Sequence, residues 1–521
     1  MRYFNTAGPC LPDRHYMVPA EQRLPEACSL VEGGQYFVLH APRQTGKTTA
    51  LLALARHLAG TGEYAAVLFS GESAEAAGDD YAAAEAMILA AIHDAARRAG
   101  LAPRLLPPDP WPDGPPGRRL HRGLAAWAER SPVPVVLFFD EVDALRGQSL
   151  ISVLRQLRDG YRDRPAGFPA SVALCGLRDV RDYKAAAGGD PTRLGTASPF
   201  NISVKSLRIA DFSSGEVTAL YRQHTADTGQ EFTAEAVERA FCYTQGQPWL
   251  VNALAREVID EMDVTGPILP GHMDEAKERL ILARATHLDS LAARLSEPRV
   301  RRVIEPLIAG TLPEFDPAYD DDASYAQDLG LIRVGNPVTI ANPVYREVIV
   351  RVLGAGLERV VTAKPRAFLL PDGRLDMRKL LEAFADFWRE NGEIITGSMA
   401  YHEAAPHLVL MAFLQRIVNG GGYIDREYGI GRGRLDLLIR KPYGDGQVQR
   451  EALELKVWRA HKGDPLTDGL KQLDGYLDWL ALDTGTLVIF DRRPGTPPID
   501  ERTEITTATT PAGRAVTVLR A

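Results

Sequence analysis

A chain of 521 residues is longer than one hydrophobic core can fill, so two to four domains are expected. With 45% apolar residues, 25% charged residues and a net charge of −8, it is neither a disordered chain nor a whole-surface nucleic-acid binder, although a local basic groove stays open. No apolar run approaches the roughly 18 residues of a membrane helix, and Met1-Arg2-Tyr3-Phe4-Asn5-Thr6 lacks an apolar signal core, so a cytoplasmic protein without a membrane part is expected. Cys10, Cys28, Cys175 and Cys242 form neither a CxxC pair nor a metal-ligand cluster, which points to free thiols in a reducing compartment.

In chain order, Tyr36 to Leu39 reads as a short buried strand, residues 48–59 as a helix, and Ala65 to Phe69 as a second strand. A long helix over 81–99 precedes seven prolines between Pro103 and Pro116, which mark a loop. Pro134 to Phe139 is a strand apolar on both faces, 148–159 a helix, and Ser171 to Leu174 another strand. This alternation predicts a multidomain α/β protein whose first domain, 1–210, is a parallel sheet flanked by helices. Residues 211–296 read as a helical lid. Over 297–360, helix, helix and hairpin make a winged-helix pattern, with Asn336-Pro337 at the turn. A Pro-containing linker leads to a final α/β domain at 375–521.

The first chemical signal is Ala41-Pro42-Arg43-Gln44-Thr45-Gly46-Lys47-Thr48-Thr49, which follows a strand and opens a helix. In a P-loop the backbone amides cradle phosphates, Lys47 adds a positive charge and Thr48 can ligate Mg²⁺. Ala41 stands where the pattern has its first glycine, and an ordinary negative φ there would accommodate it. Val135 to Phe139 followed by Asp140-Glu141 supplies the acidic strand end: Asp140 for the Mg²⁺ shell and Glu141 to orient and deprotonate the attacking water. ATP with Mg²⁺ is therefore the expected cofactor.

Together with Phe4-Asn5-Thr6-Ala7-Gly8-Pro9-Cys10, Asp13-Arg14-His15-Tyr16-Met17 and Gly246-Gln247-Pro248-Trp249, these motifs resemble the bacterial AAA-like ATPases of the origin-recognition and signal-transducing (STAND) type. The resemblance covers roughly 1–355 and implies an AAA-type sheet, a lid carrying the G-x-P motif, and a winged helix. It further implies a sensor role for Arg178 and, in a homo-oligomer, a finger role for Arg193 toward a neighbouring subunit.

The second signal lies in the last domain. Arg432 to Ile439 reads as a strand holding Asp436 among apolar residues, and 18 residues on Glu454 and Lys456 share one face of the strand Ala452 to Val457. Charges in such strands are unfavourable unless paired or ion-bound. Two carboxylates sharing a divalent cation, with a lysine near the water, suit phosphodiester hydrolysis. The segment from about 395 to 495 resembles the PD-(D/E)XK nucleases and implies a restriction-endonuclease-like fold. In that resemblance Asp436 and Glu454 hold metal, Lys456 is catalytic, Glu403 is the helix carboxylate, and Gln472 with Tyr476 forms the Q-x-x-x-Y helix. Leu435 stands where the family's proline is usual. Residues 426–462 carry nine Lys/Arg against five Asp/Glu, a basic rim that suits a polyanion. A plain Glu454–Lys456 or Asp436–Lys456 ion pair is the structural alternative. By contrast, the helix from Ser324 has no Lys or Arg with which to read DNA.

The sequence thus predicts an AAA-like ATPase coupled to a metal-dependent nuclease acting on nucleic acid, DNA ahead of RNA. Its rivals are a nucleotide-switched regulatory or signalling ATPase whose nuclease-like domain binds without cutting, and an ATPase that remodels a protein partner.

Overall fold

The computed structural model describes all residues except 1, 20–22, 178–201, 203–204, 284–285, 309–319, 336, 355–364, 399–404, 419–421, 431–432, 445 and 461–462. The chain forms two compact units, 1–280 with 327–330, and 281–326 with 331–521.

Unit 1 is built on five parallel strands: β1 (Tyr36–His40), β2 (Ala65–Ser70), β3 (Val135–Asp140), β4 (Ser171–Gly176) and β5 (Lys205–Arg208), in the order β2-β3-β4-β1-β5. Parallel strands need crossovers, and the crossovers place helices on both faces. Helices α1 (Pro25–Glu32) and α2 (Lys47–Thr61) cover one face, where Phe37, Leu39, Val136, Phe138 and Ala173 meet Val31, Leu51, Leu54 and Leu58. On the other face lie α3 (Tyr81–Arg98), α4 (Arg119–Arg130) and α5 (Gly147–Gly160). There Tyr36, Val38, Leu137, Phe139 and Leu174 pack on Ile88, Ile92, Leu124, Trp127 and Leu154. Strict alternation of buried side chains between two cores is why these strands read as continuous apolar runs.

Past the sheet come α6 (Ser214–Thr228), α7 (Ala234–Thr244), α8 (Pro248–Arg256) and α9 (Pro270–Leu282). A capping box starts α6: the Ser213 hydroxyl accepts from the Glu216 amide, and the Glu216 carboxylate accepts from the Ser213 amide. Between α7 and α8 the chain reverses through Gln245 and Gly246, with φ of 50° and 81°. A Cβ on Gly246 would stand 1.8 Å from the Phe212 carbonyl oxygen, so both the φ and the close approach require glycine.

Unit 2 contains α10 (Thr286–Arg294), α11 (Pro298–Ile308), α12 (Asp321–Asp328) up to Ala326, the short hairpin β6 (Ile332–Arg333) and β7 (Thr339–Ile340), and α13 (Pro343–Gly354). Asp322 on α12 pairs with Arg299 and Arg302 of α11, so the acidic start of α12 is neutralised by its neighbour. Then come α14 (Met377–Ser398), α15 (Ala405–Val418) and a six-stranded mixed sheet. Its strands are β8 (Tyr423–Ile430), β9 (Gly433–Tyr443), β10 (Gln447–Trp458), β11 (Thr486–Asp491), β12 (Glu504–Thr509) and β13 (Ala515–Arg520), ordered β12-β13-β11-β10-β9-β8. Helix α16 (Leu466–Leu480) seals one face, burying Leu473, Leu477 and Leu480 on Leu438, Ala452, Leu487 and Ile489. Phe490, of opposite parity, meets Trp388 of α14 and His407 of α15 at ring distances of 5.4 and 5.7 Å. Leu408 through Leu414 are all buried, so α15 is a core helix rather than an amphipathic one.

Candidate functional site

The loop after β1 turns through Gln44 (φ 60°) and Gly46 (φ 89°) before α2 begins at Lys47. Glycine carries the left-handed φ at position 46 without the penalty of about 1 kcal/mol that other residues incur. Ala41 is buried and is not among the positive-φ residues, so its methyl group is tolerated where the motif has glycine. Thr45 braces the turn by donating to the Pro42 carbonyl at 2.9 Å. No side chain caps α2, so its leading amides and the positive end of the helix dipole remain open to an anion. Lys47 Nζ donates to the carbonyls of Ala41 and Pro42 at 2.7 and 2.8 Å, which lays the cation along the inside of the loop. Desolvation lowers its pKa. Arg43 is exposed at the tip.

Across β4 stands the C-terminal end of β3. Thr48 Oγ1 donates to Asp140 Oδ2 at 2.6 Å, joining the start of α2 to the acidic strand end. Glu141 follows in the left-handed region at φ 55°, a conformation that costs a non-glycine residue about 1–3 kcal/mol and is concentrated at functional sites. Its Oε2 accepts from the Ser70 hydroxyl at 2.6 Å, and Ser70 is the residue paired with Asp140 in the β2–β3 register. Desolvation raises the Glu141 carboxyl, opposed by the Ser70 hydrogen bond and assisted by repulsion from Asp140, Glu72 and Asp143. Cys175, the penultimate residue of β4, has its thiol pushed well up by burial, then by the charge of Asp140. The structure thus brings Lys47, Thr48, Asp140 and Glu141 to one edge of the sheet, where ligands of open α/β folds collect. Ser70 completes the set. A lone serine at a strand end carries no signal in the sequence, and only the register gives it a role.

Beside the loop is a cavity of about 130 Å³ lined in part by Gln44, Thr45, Gly46 and Thr49. Three segments close it. The N-terminal strap is tied to the loop by Cys10 N donating to Thr49 Oγ1 at 3.0 Å, and to α8 by Trp249 Nε1 donating to the Thr6 carbonyl at 2.9 Å. Gln247, before α8, donates to the Gln44 carbonyl at 3.5 Å. Pro248 of the G-x-P motif, Trp249 after it and the strap are therefore walls of one pocket.

In unit 2, the antiparallel β9–β10 ladder pairs Leu437 with Leu453, and one further step sets Asp436 opposite Glu454. Asp436 Oδ2 accepts from the Leu455 amide at 2.8 Å. Lys456 Nζ donates to Glu454 Oε1 at 2.6 Å, so the ion pair foreseen as the structural alternative does form. It leaves Glu454 Oε2 buried, with no hydrogen-bond partner among the described residues. Burial, then repulsion by Asp436, pushes the Glu454 carboxyl up out of the usual range. Lys456 is thus paired with Glu454, and Asp436 lies close enough to repel that carboxyl. Among the described residues no group of three or more His, Cys, Asp or Glu is placed to hold a metal ion. Gln472 is exposed on α16 and enters none of these contacts, while Tyr476 is half-buried. Glu403, Arg178 and Arg193 lie outside the described residues.

Sheet order, loop and acidic strand end define unit 1 as a P-loop α/β fold. No family model and no curated protein matches the chain. Among solved structures, it is similar to a Walker-type ATPase of Pyrococcus abyssi (14% identity, 66% of this chain and 99% of that one, TM-score 0.48). The RuvB Holliday-junction branch-migration motor of Thermotoga maritima matches at 15% identity over 63% and 93%, TM-score 0.34. Cdc6p from Pyrobaculum aerophilum matches at 13% over 67% and 96%, TM-score 0.35. Identities and TM-scores are low for all three. Among the described residues no helix is long and apolar enough to cross a membrane.

Proposed function

We propose that unit 1 binds and hydrolyses ATP with Mg²⁺, and that unit 2 is a metal-dependent nuclease of PD-(D/E)XK type acting on nucleic acid, DNA ahead of RNA, with the nucleotide state setting the rate of cutting. The observation that carries the ATP reading is the uncapped start of α2 next to the 2.6 Å Thr48–Asp140 contact. The amides from Thr45 to Thr49 would take the phosphate oxygens, and Lys47 would exchange the Ala41 and Pro42 carbonyls for them. Thr48 and Asp140 would hold Mg²⁺, whose role is to neutralise phosphate charge and polarise the transferring group. Glu141, held by Ser70 and with its basicity raised, would orient the attacking water and accept its proton. Titration with a fluorescent ATP analogue, with and without Mg²⁺, tests this reading. Saturable, Mg²⁺-dependent binding is expected, and no binding would overturn it.

The nuclease reading rests on the buried Glu454 Oε2 opposite Asp436. A buried carboxylate oxygen without a partner costs several kcal/mol, which a bound cation offsets. Lys456, already directed at Glu454, would position water and stabilise the anionic transition state. Cleavage of a panel of DNA and RNA substrates with Mg²⁺ or Mn²⁺ tests it. The second reading, binding without cutting in a regulatory or signalling ATPase, is favoured by the closed Lys456–Glu454 pair, and a panel that is bound but left intact would select it. A homo-oligomer and a packing role for the helix, helix, hairpin segment belong to the same proposal.

A further inference from the structure

The cavity beside the phosphate loop has an apolar wall made by Val18, Phe212, Leu220 and Trp249, and one polar side chain of α8, Asn252, lines it as well. Asn252 is 7% exposed. Its Nδ2 donates to the Pro248 carbonyl at 2.8 Å, one turn back on the same helix. A carbonyl can only accept, so this contact fixes which way round the amide sits and leaves Oδ1 as its remaining acceptor. Oδ1 is buried and has no hydrogen-bond partner among the described residues.

Several other polar side chains of the cavity are already engaged. Thr45 donates to Pro42, Thr49 accepts from Cys10, Asn5 donates to Gly8, and Arg23 donates to Ala210 and Glu216. The Tyr16 ring lies under Arg2, and its buried hydroxyl, which is also a donor, has no hydrogen-bond partner among the described residues. A buried acceptor without a donor costs about 1–3 kcal/mol, and a site with such a group rewards a ligand that brings the donor.

Resting on the ATP reading of the same site, we propose that Asn252 Oδ1 is a specificity determinant that accepts from the 6-amino group of adenine and disfavours 6-oxo purines. A guanine at that edge would set its O6 against Oδ1, acceptor against acceptor. A purine with hydrogen at position 6 would leave Oδ1 as it is.

The test compares ATP, GTP and purine riboside triphosphate, which lacks only the amino group, by competition against a fluorescent ATP analogue on the full chain. Wild-type protein should prefer ATP over both by at least about tenfold. In Asn252→Ala that preference over purine riboside triphosphate should collapse to within about twofold. Because each variant supplies its own ratio, a general loss of affinity does not mimic the result. Should Asn252→Ala fail to fold, the wild-type ratios decide alone. Equal binding of the three nucleotides by wild type, or an unchanged ratio in Asn252→Ala, overturns the role of Asn252 and leaves the phosphate-loop reading intact. Failure of wild type to bind any of them, or inorganic triphosphate, overturns both.

Discussion

The two candidate sites hold comparable charge and are built in opposite ways. In unit 1 the working groups are mostly backbone, concentrated in a loop and the first turn of a helix, and the charged side chains find partners inside the site: Lys47 on loop carbonyls, Asp140 on Thr48, Glu141 on Ser70. In unit 2 the site is two carboxylates on neighbouring strands, 18 residues apart in sequence, with a lysine on Glu454 and one Glu454 oxygen without a hydrogen-bond partner among the described residues. The difference teaches what each site needs. A backbone cradle is stable before its ligand arrives, whereas a buried carboxylate oxygen without a donor is satisfied only when a cation reaches it.

The largest expected effect is in unit 2. Glu454→Ala and Lys456→Ala should each bring metal-dependent cleavage to background, but only Glu454→Ala should also abolish Mn²⁺ binding measured by calorimetry, because it removes a ligand. Cleavage at wild-type rates by both variants would reduce Asp436, Glu454 and Lys456 to a structural ion pair, and the contrast between the sites would disappear.

Next comes Glu141→Gln. The amide keeps the shape and loses the ability to take a proton, so ATP turnover should fall by about a hundredfold or more while analogue affinity stays within a few-fold. Turnover at the wild-type rate would place the base elsewhere, with Asp143 next along the chain.

A smaller effect sharpens the comparison by pH. His407 in unit 2 is buried and His287 half-buried, and desolvation lowers their pKa values to about 3 and about 4 from an ordinary 6.5. A histidine whose folded pKa is lowered gives stability that is present above the unfolded pKa and lost as pH falls toward the folded one. Unit 2 should therefore weaken as pH drops below about 6.5, by on the order of a few kcal/mol across the window. Its melting transition, followed by calorimetry, should move down with acid, and His407→Leu should flatten that slope. A transition that holds steady between about pH 7 and pH 5 would contradict the buried, neutral state.

How much of this was legible in the sequence follows the same contrast. The apolar runs at 36–39, 65–69, 134–139 and 171–174 are the strands β1 to β4, because a parallel sheet covered on both faces leaves no polar alternation to confuse the pattern. The helices read at 48–59, 81–99 and 148–159 lie within a residue or two of α2, α3 and α5. Helix α4 was hidden behind the proline-rich loop, and its charged start, Arg118-Arg119-Leu120-His121-Arg122, lacks a side-chain cap. Strand β5, Lys205-Ser206-Leu207-Arg208, buries one residue of four and offers too little periodicity. Strand β12 was missed because a Thr-rich, half-exposed edge segment resembles a loop.

At the sites, a phosphate loop is legible because its geometry is set by contiguous residues. Ser70 and Asn252 were not. Ser70 acquires its partner only when β2 and β3 align, and Asn252 gains significance only when three distant segments close a cavity around it. Asp436 and Glu454 fall between these cases: their spacing could be read, but their opposition depends on the β9–β10 register.

The most direct test of the central claim is the affinity of full-length protein for a fluorescent ATP analogue with Mg²⁺, compared between wild type and Lys47→Ala. Wild type should bind saturably, and Lys47→Ala should lose at least about tenfold in affinity, since the loop then has no cation to meet the phosphates inside it. Equal affinity in the two proteins would contradict the assignment of this loop as the nucleotide site.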